Sequence, residues 1–321
     1  MKRNKRNIDR KKRKRNVLRS VLVFLAVLGI CVIGNYLANE HVYVTEYKVE
    51  DTQIPQEFDG FRIVQVTDVH SIRNQEQSDL LYNTVVNERP DAVVITGDLL
   101  DSTYYTEENK ALKEGLSDKM AGQDTVDFIK RLTEHYYVYF VYGNHEMMLL
   151  DDPENNVFKT KLESLGVTIL NNKEEIITLG KESFRLIGLQ DPATLYKDKK
   201  YAFIGESNKE RMDSILHDLF LDKDENLFTI CLSHRPEYFD LYQKYPIDVV
   251  FTGHAHGGIA RLPFIGGVYA HAQGWFPKYS EGLHIDNDRL NMICGRGIGN
   301  STINFRFMNP PEIVVTTLLK K

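Results

Sequence analysis

Five short apolar runs in this chain each stop at residues of the kind that hold metal ions. Residues 61–67 (FRIVQVT) lead into Asp68-Val69-His70, and residues 92–96 (AVVIT) into Gly97-Asp98-Leu99-Leu100-Asp101. Residues 137–142 (YVYFVY) lead into Gly143-Asn144-His145-Glu146. Residues 227–232 (LFTICL) reach Ser233-His234-Arg235, and residues 248–252 (DVVFT) reach Gly253-His254-Ala255-His256-Gly257-Gly258. Short β-branched and aromatic runs bounded by turn residues read as buried strands. A further strand is expected at 184–189. Residues 77–87 carry Leu80, Leu81, Val85 and Val86 at helical spacing before Pro90, and residues 126–135 also read as helix. Strands alternating with helices predict an α/β layered fold. Ligands in such folds gather at the carboxyl ends of strands, so the five strand ends are expected to converge on one crevice.

The residue types fit that expectation. Asp68 and His70 are two apart, so in extended backbone they point the same way and can grip one ion; His254 and His256 repeat the spacing. Gly before Asp98, Asn144 and His254 permits sharp exits from the sheet. Imidazole, carboxylate and amide donors suit manganese, iron or zinc better than calcium or magnesium. The candidates Asp68, His70, Asp98, Asn144, His234, His254 and His256 are too many for one ion. They suffice for two if one carboxylate bridges, and two ions about 3.5–4 Å apart clamp an in-line displacement at phosphorus. Alone, Asp-x-His or Gly-Asp-x-x-Asp is usually an ordinary loop; the ordered set of five carries the reading.

That order of motifs resembles the calcineurin-like metallophosphoesterase superfamily over about residues 55–318. The motifs Cys-Gly-Arg-Gly-Ile-Gly (294–299) and Arg-Phe-Met-Asn-Pro-Pro-Glu-Ile (306–313) resemble its bacterial membrane-associated branch, which includes YkuE-like and YaeI-like phosphoesterases. The resemblance implies a four-layer α-β-β-α sandwich with a dinuclear metal site. It assigns Asp68, His70 and His256 to one metal and Asn144, His234 and His254 to the other, with Asp98 bridging. It also implies His145 as general acid, or as a donor to the phosphoryl group, oriented by Asp101. Hydrolysis by a metal-activated water, without a covalent enzyme intermediate, is the expected chemistry. Arg235 has two readings: a fork for phosphate or a partner for a surface carboxylate. Trp275-Phe276-Pro277 is expected to pack in the core, with lipid or a substrate ring as the alternative. His41, His135, His217, His271 and His284 fall outside the motifs and are read as non-ligands.

The amino terminus differs from the rest. Residues 1–20 hold eleven Lys/Arg and one acid, a charge of +10; the net −5 therefore leaves −15 for the other 301 residues. Residues 21–33 (VLVFLAVLGICVI) carry no charge, and the apolar run extends to Ala38. We read 21–38 as a single transmembrane anchor, at the short limit for a span. A cleaved signal peptide competes, as does a buried N-terminal helix of a soluble protein. The positive-inside rule puts residues 1–20 in the cytoplasm as a basic tail and the body outside. Residues 39–58 are expected as an extended linker and 59–321 as one catalytic domain. Residues 101–124 read as a polar surface excursion, helical at 107–116. Strand candidates at 267–270, 282–285, 292–294 and 313–317 are expected to form a second, more antiparallel sheet.

These features limit the function classes. Three Cys exclude a disulfide scaffold; Cys31 falls in the apolar run, and Cys231 and Cys294 in expected core strands. The leading reading is an anchored hydrolase of a phosphoester or pyrophosphate bond, with a lipid-linked or nucleotide-sugar substrate in view. A nuclease is the second, but an acidic body lacks the basic groove a polyanion needs, so no nucleic acid is expected. A metal-stabilised envelope scaffold is the third.

Overall fold

The computed structural model describes residues 2–72, 74–101, 123–149, 156–193, 206–224, 226–286, 289–300 and 305–321. The helix expected at 107–116 lies outside them. The chain divides into two units, Met1–His41 and Val42–Lys321.

The first unit is one helix, α1 (Lys2–Asn39). Its Lys12–Tyr36 portion is long and apolar enough to cross a membrane, and none of it is buried.

Among the described residues, the second unit holds sixteen strands in chain order. Its first half contains β1 (Tyr43–Asp51), β2 (Arg62–Val66), α2 (Gln75–Asn87), β3 (Ala92–Thr96), α3 (Gln123–Thr133), β4 (Tyr137–Val141), α4 (Asn144–Leu149), α5 (Val157–Ser164) and β5 (Val167–Ile169). Next come β6 (Lys173–Leu179), β7 (Glu182–Gly188), α6 (Glu206–Phe220), β8 (Thr229–Leu232), α7 (Phe239–Tyr242) and β9 (Val249–Thr252). Two small hairpins follow: β10 (Arg261–Leu262) with β11 (Gly266–Gly267), and β12 (Tyr269–Ala270) with β13 (Gly274–Trp275). The chain closes with β14 (Gly282–Ile285), β15 (Asn291–Cys294) and β16 (Glu312–Lys320).

Two six-stranded sheets result, ordered β1-β16-β2-β3-β4-β5 and β14-β15-β9-β8-β7-β6. Period-two alternation sorts their side chains into layers. In β3, Ala92 and Val94 enter a core shared with Phe184, Leu186, Ile230, Val249 and Phe251 of the other sheet. Val93 and Ile95 of β3 face the opposite way, onto Leu81, Val85, Phe128 and Leu132 of α2 and α3. Cys231 and Val250 likewise turn outward onto Met212 and Leu216 of α6. The layers are therefore helix, sheet, sheet, helix, as the family resemblance implies. Helix starts are set locally: Asn74 accepts from Gln77 N at 2.9 Å to open α2, and Asn156 accepts from Lys159 N at 2.7 Å to open α5.

Two expectations need correction. The stretch read as a linker contains β1, paired in parallel with β16 from Tyr43–Glu312 to Asp51–Lys320. It reads as polar because it is an edge strand, with Val49 the one residue in it that is fully buried. The C-terminal strands also do not form a separate antiparallel sheet. β16 inserts into the first sheet beside β2, while β14 and β15 complete a second sheet whose inner pairs are parallel. Strand sequences alone carry no record of which neighbour they meet.

Candidate metal centre

The strands β2, β3, β4, β8 and β9 end around one buried cluster. Asp68, His70, Asp98, Asn144, His234, His254 and His256 are all buried. Asp68, His70 and His256 form one group of facing donor atoms, and Asp98, His234 and His254 form another. A third group, His70, Asp98 and His145, overlaps both sides. Within these groups His256 Nε2 lies 3.2 Å from Asp68 Oδ1, and His234 Nε2 lies 3.1 Å from Asp98 Oδ2. His70 Nε2 and His145 Nε2 each stand 3.9 Å from Asp98 Oδ2. Asp98 is therefore the carboxylate common to both sides.

The backbone at these positions is unusual. Asp68, His70, Asp98, His254 and His256 have φ of 50°, 51°, 52°, 64° and 48°, in the left-handed region. Non-glycine residues rarely sit there, and each costs on the order of 1–3 kcal/mol. The strain is held by continued pairing between the loops after β2 and β3. Asp68 N donates to Gly97 O at 3.1 Å, His70 N to Asp98 O at 3.0 Å and Ser71 N to Leu99 O at 2.9 Å. The expected extended backbone for Asp-x-His is thus not what brings Asp68 and His70 together. His254 and His256 also part company: they join opposite groups, not one.

Glycine has two separate jobs here. Gly97 turns with φ of 90°. Gly253 does not use positive φ; a Cβ there would come within 2.3 Å of Asp68 Oδ2, so its role is close packing of loop on ligand.

Hydrogen bonds choose which ring nitrogen faces the cluster. His234 Nδ1 contacts Thr96 O at 2.7 Å, which leaves Nε2 inward. Arg235 Nη1 donates to His254 Nε2 at 2.9 Å, which leaves Nδ1 as its free donor atom. The backbone N–H of His254 caps Asp68, and Thr67 Oγ1 donates to Asp68 Oδ2 at 2.7 Å. Asn144 Oδ1 is buried with no hydrogen-bond partner among the described residues. Buried polar atoms left without partners are costly. Inward lone pairs of nitrogen and oxygen around a shared carboxylate are the donor set a pair of divalent cations satisfies, so these residues fit such a centre.

Electrostatics follow from burial and crowding. Burial, then the His145 charge, lowers His70 to about 3. Burial also pushes His256 and His254 well below the usual imidazole range, helped by His70 for the first and Arg235 for the second. These rings are held neutral, the form that ligates. For His234 burial opposes the charge, but Asp98 outweighs it and raises the ring to about 10. Asp68 rises to about 6 through burial.

His145 lies in the first turn of α4, and its N–H donates to Asp98 Oδ1 at 2.8 Å. Its Nδ1 lies 3.7 Å from Asp101 Oδ1, the partner expected for it. Arg235 matches neither of its two expectations fully. It is completely buried and forks onto Asp191, also fully buried, so its carboxylate partner is interior. Trp275 and Phe276 are exposed, against the expected core packing. His271 joins none of the three groups, and Cys31, Cys231 and Cys294 are all free thiols.

Sequence reasoning gave three neighbours no role. Glu146 is fully buried and accepts from the N–H groups of Asp98, Gly143 and Leu100, each at 2.9 Å. It clamps the exits of β3 and β4 together. Asn309 Nδ2 donates to His256 O at 2.6 Å and Ile259 O at 3.1 Å, spanning the left-handed turn at His256. Arg306 Nη2 lies 3.4 Å from His256 Nδ1 and donates to Arg296 O at 3.0 Å. The signal for the last two was present in the C-terminal motif; their target was not.

Residues 61–258 match the calcineurin-like phosphoesterase family model. The chain belongs to the calcineurin-like phosphoesterase family. It is a metallophosphoesterase, a hydrolase of phosphoric esters. The uncharacterized metallophosphoesterase YkuE of Bacillus subtilis is 27% identical over 89% of this chain and 88% of its own length. The UDP-2,3-diacylglucosamine pyrophosphatase LpxG of Chlamydia muridarum is 26% identical over 84% of this chain and 88% of its own. The phosphodiesterase YaeI of Escherichia coli is 24% identical over 60% of this chain and 62% of its own.

Proposed function

We propose that this chain is a membrane-anchored, two-metal hydrolase of a phosphoester or pyrophosphate bond in a lipid-linked substrate. The observation that carries the chemistry is Asp98, one carboxylate common to two groups of inward donors. Asp68, His70 and His256 would hold one cation, Asn144, His234 and His254 the other, with Asp98 between. The mixed nitrogen and oxygen donors favour manganese, iron or zinc. When bound, such cations lower the pKa of a water to supply hydroxide near neutral pH and offset charge on the phosphoryl oxygens. Glu146, Arg235 and Thr67 would position the ligands, and His145 would give a proton to the leaving oxygen. Asp101 orients that ring.

Lipid linkage is supported by α1, long and apolar enough for a span, and by the similarity to a pyrophosphatase of a diacylated sugar nucleotide. The basic tail would lie in the cytoplasm against anionic head groups, with the catalytic unit on the outer side. The test is full-length protein loaded with manganese, iron or zinc and offered lipid-linked pyrophosphates, phosphodiesters and phosphomonoesters. Cleavage of the lipid-linked set above water-soluble analogues is expected. Equal cleavage of both would remove the lipid assignment and leave the hydrolase.

A further inference from the structure

The loop that carries His254 and His256 continues into the two small hairpins, and their large apolar side chains point to solvent. Phe264, between β10 and β11, is fully exposed, and Ile265 beside it is 60% exposed. Trp275 in β13 is 71% exposed and Phe276 61%. Leu262 and Met308 extend the same apolar set. The hairpins are tied into one ledge: Val268 N donates to Ala260 O at 2.8 Å, and Phe276 N donates to Val268 O at 2.8 Å. Ala260 in turn bridges to Phe307, next to Met308. The ledge is fixed to the centre, because Gly258 packs so closely on Gly267 that a Cβ would come within 2.4 Å of its Cα. Six exposed apolar side chains on one ledge exceed what scattered surface hydrophobes explain.

We propose that this ledge is an interfacial membrane-docking surface that lays the metal centre against the bilayer. The inference rests on the anchored reading above. On that reading residues 40–42 separate the end of α1 from β1, roughly 10 Å of extended chain, so a bilayer is an apolar phase within the domain's reach. The chemistry selects that occupant. Isolated Trp, Phe and Ile side chains on turns suit insertion at the head-group level, where aromatic rings gather. A body of net charge −15 makes electrostatic attraction a weak driver, so docking is apolar and tolerant of salt.

Trp275 is the one tryptophan of the chain, so its fluorescence reports the ledge and nothing else. The full-length protein is reconstituted into phosphatidylcholine vesicles whose acyl chains are brominated near the head group. Blue-shifted Trp275 emission, quenched by the bromines and unchanged in high salt, is expected. F264D should weaken the quenching while leaving hydrolysis of bis(p-nitrophenyl) phosphate unchanged. Water-like, unquenched emission in vesicles that retain the protein would overturn the proposal, as would a blue shift without quenching, which marks a protein contact. Retention after an alkaline carbonate wash separately reads the anchor. Loss of the protein there removes the anchor, while the quenching measured before the wash still decides the ledge.

Discussion

The Nε2 atoms of His70 and His256 face one another at 3.0 Å, with the rings 25° from parallel. Both rings are held neutral by burial, so a cation drawn to this lone-pair pocket meets no charge on either ring. The pocket is closed on its other side by Asp68, at 3.2 Å from His256 Nε2. Its character follows from burial of two imidazoles together, an arrangement that a cation stabilises.

On the opposite side, His234 is raised to about 10 by Asp98, against the effect of burial. Without metal it is therefore charged at pH 7.5, and its Nε2 proton must leave before it can ligate. Metal loading should release about one proton at that pH, and affinity should fall as pH drops. Titration calorimetry in buffers of different ionisation enthalpy checks this, and H234N should reduce the release. Loading with no proton release would show that His234 is not a ligand.

Asp98→Asn removes the carboxylate that the His70–His145 and His234–His254 groups share. The second ion should bind much more weakly and hydrolysis should fall by more than about 100-fold, beyond the 10–100-fold usual for outer-shell changes. Metal stoichiometry together with kcat measures both effects.

Glu146→Gln replaces two acceptor oxygens with one acceptor and one donor facing N–H groups of Asp98, Gly143 and Leu100. A loss of about 1–3 kcal/mol is expected in urea unfolding of the metal-free protein. An unchanged midpoint would mean the clamp contributes nothing.

Arg235 and Asp191 are both fully buried and paired. Truncation of one partner strands the other, so Asp191→Ala should cost about 3–5 kcal/mol. Arg235 also donates to His254, so the same variant should weaken metal binding. Thermal unfolding with and without metal separates the two effects.

His145→Asn should slow esters with poor leaving groups by about 10²–10⁴-fold and spare p-nitrophenyl esters. Equal loss on both would assign His145 to binding, not to proton donation.

The strand ends were legible because burial and metal chemistry leave opposite marks side by side: β-branched runs, then Asp, Asn and His. Four layers followed from the motif order through family resemblance, and the alternation in β3 and β9 agrees with them. Sheet neighbours were not legible. The partners of β1 and β16 lie 269 residues apart at Tyr43 and Glu312, and polar edge strands look like linkers. Nor did spacing reveal that Asp68 and His70 use left-handed backbone, since pairing with Leu99 and its neighbours enforces it. Trp275 and Phe276 read as core because hydrophobicity does not tell a buried face from an exposed ledge.

The most direct measurement titrates metal-free full-length protein with manganese while following hydrolysis of bis(p-nitrophenyl) phosphate and of pyrophosphate-linked substrates. Activity should appear as the second equivalent binds and be absent in D98N. Two tightly bound ions with no hydrolysis of any phosphoester, or full activity with one ion, would contradict a two-metal hydrolase centred on Asp98.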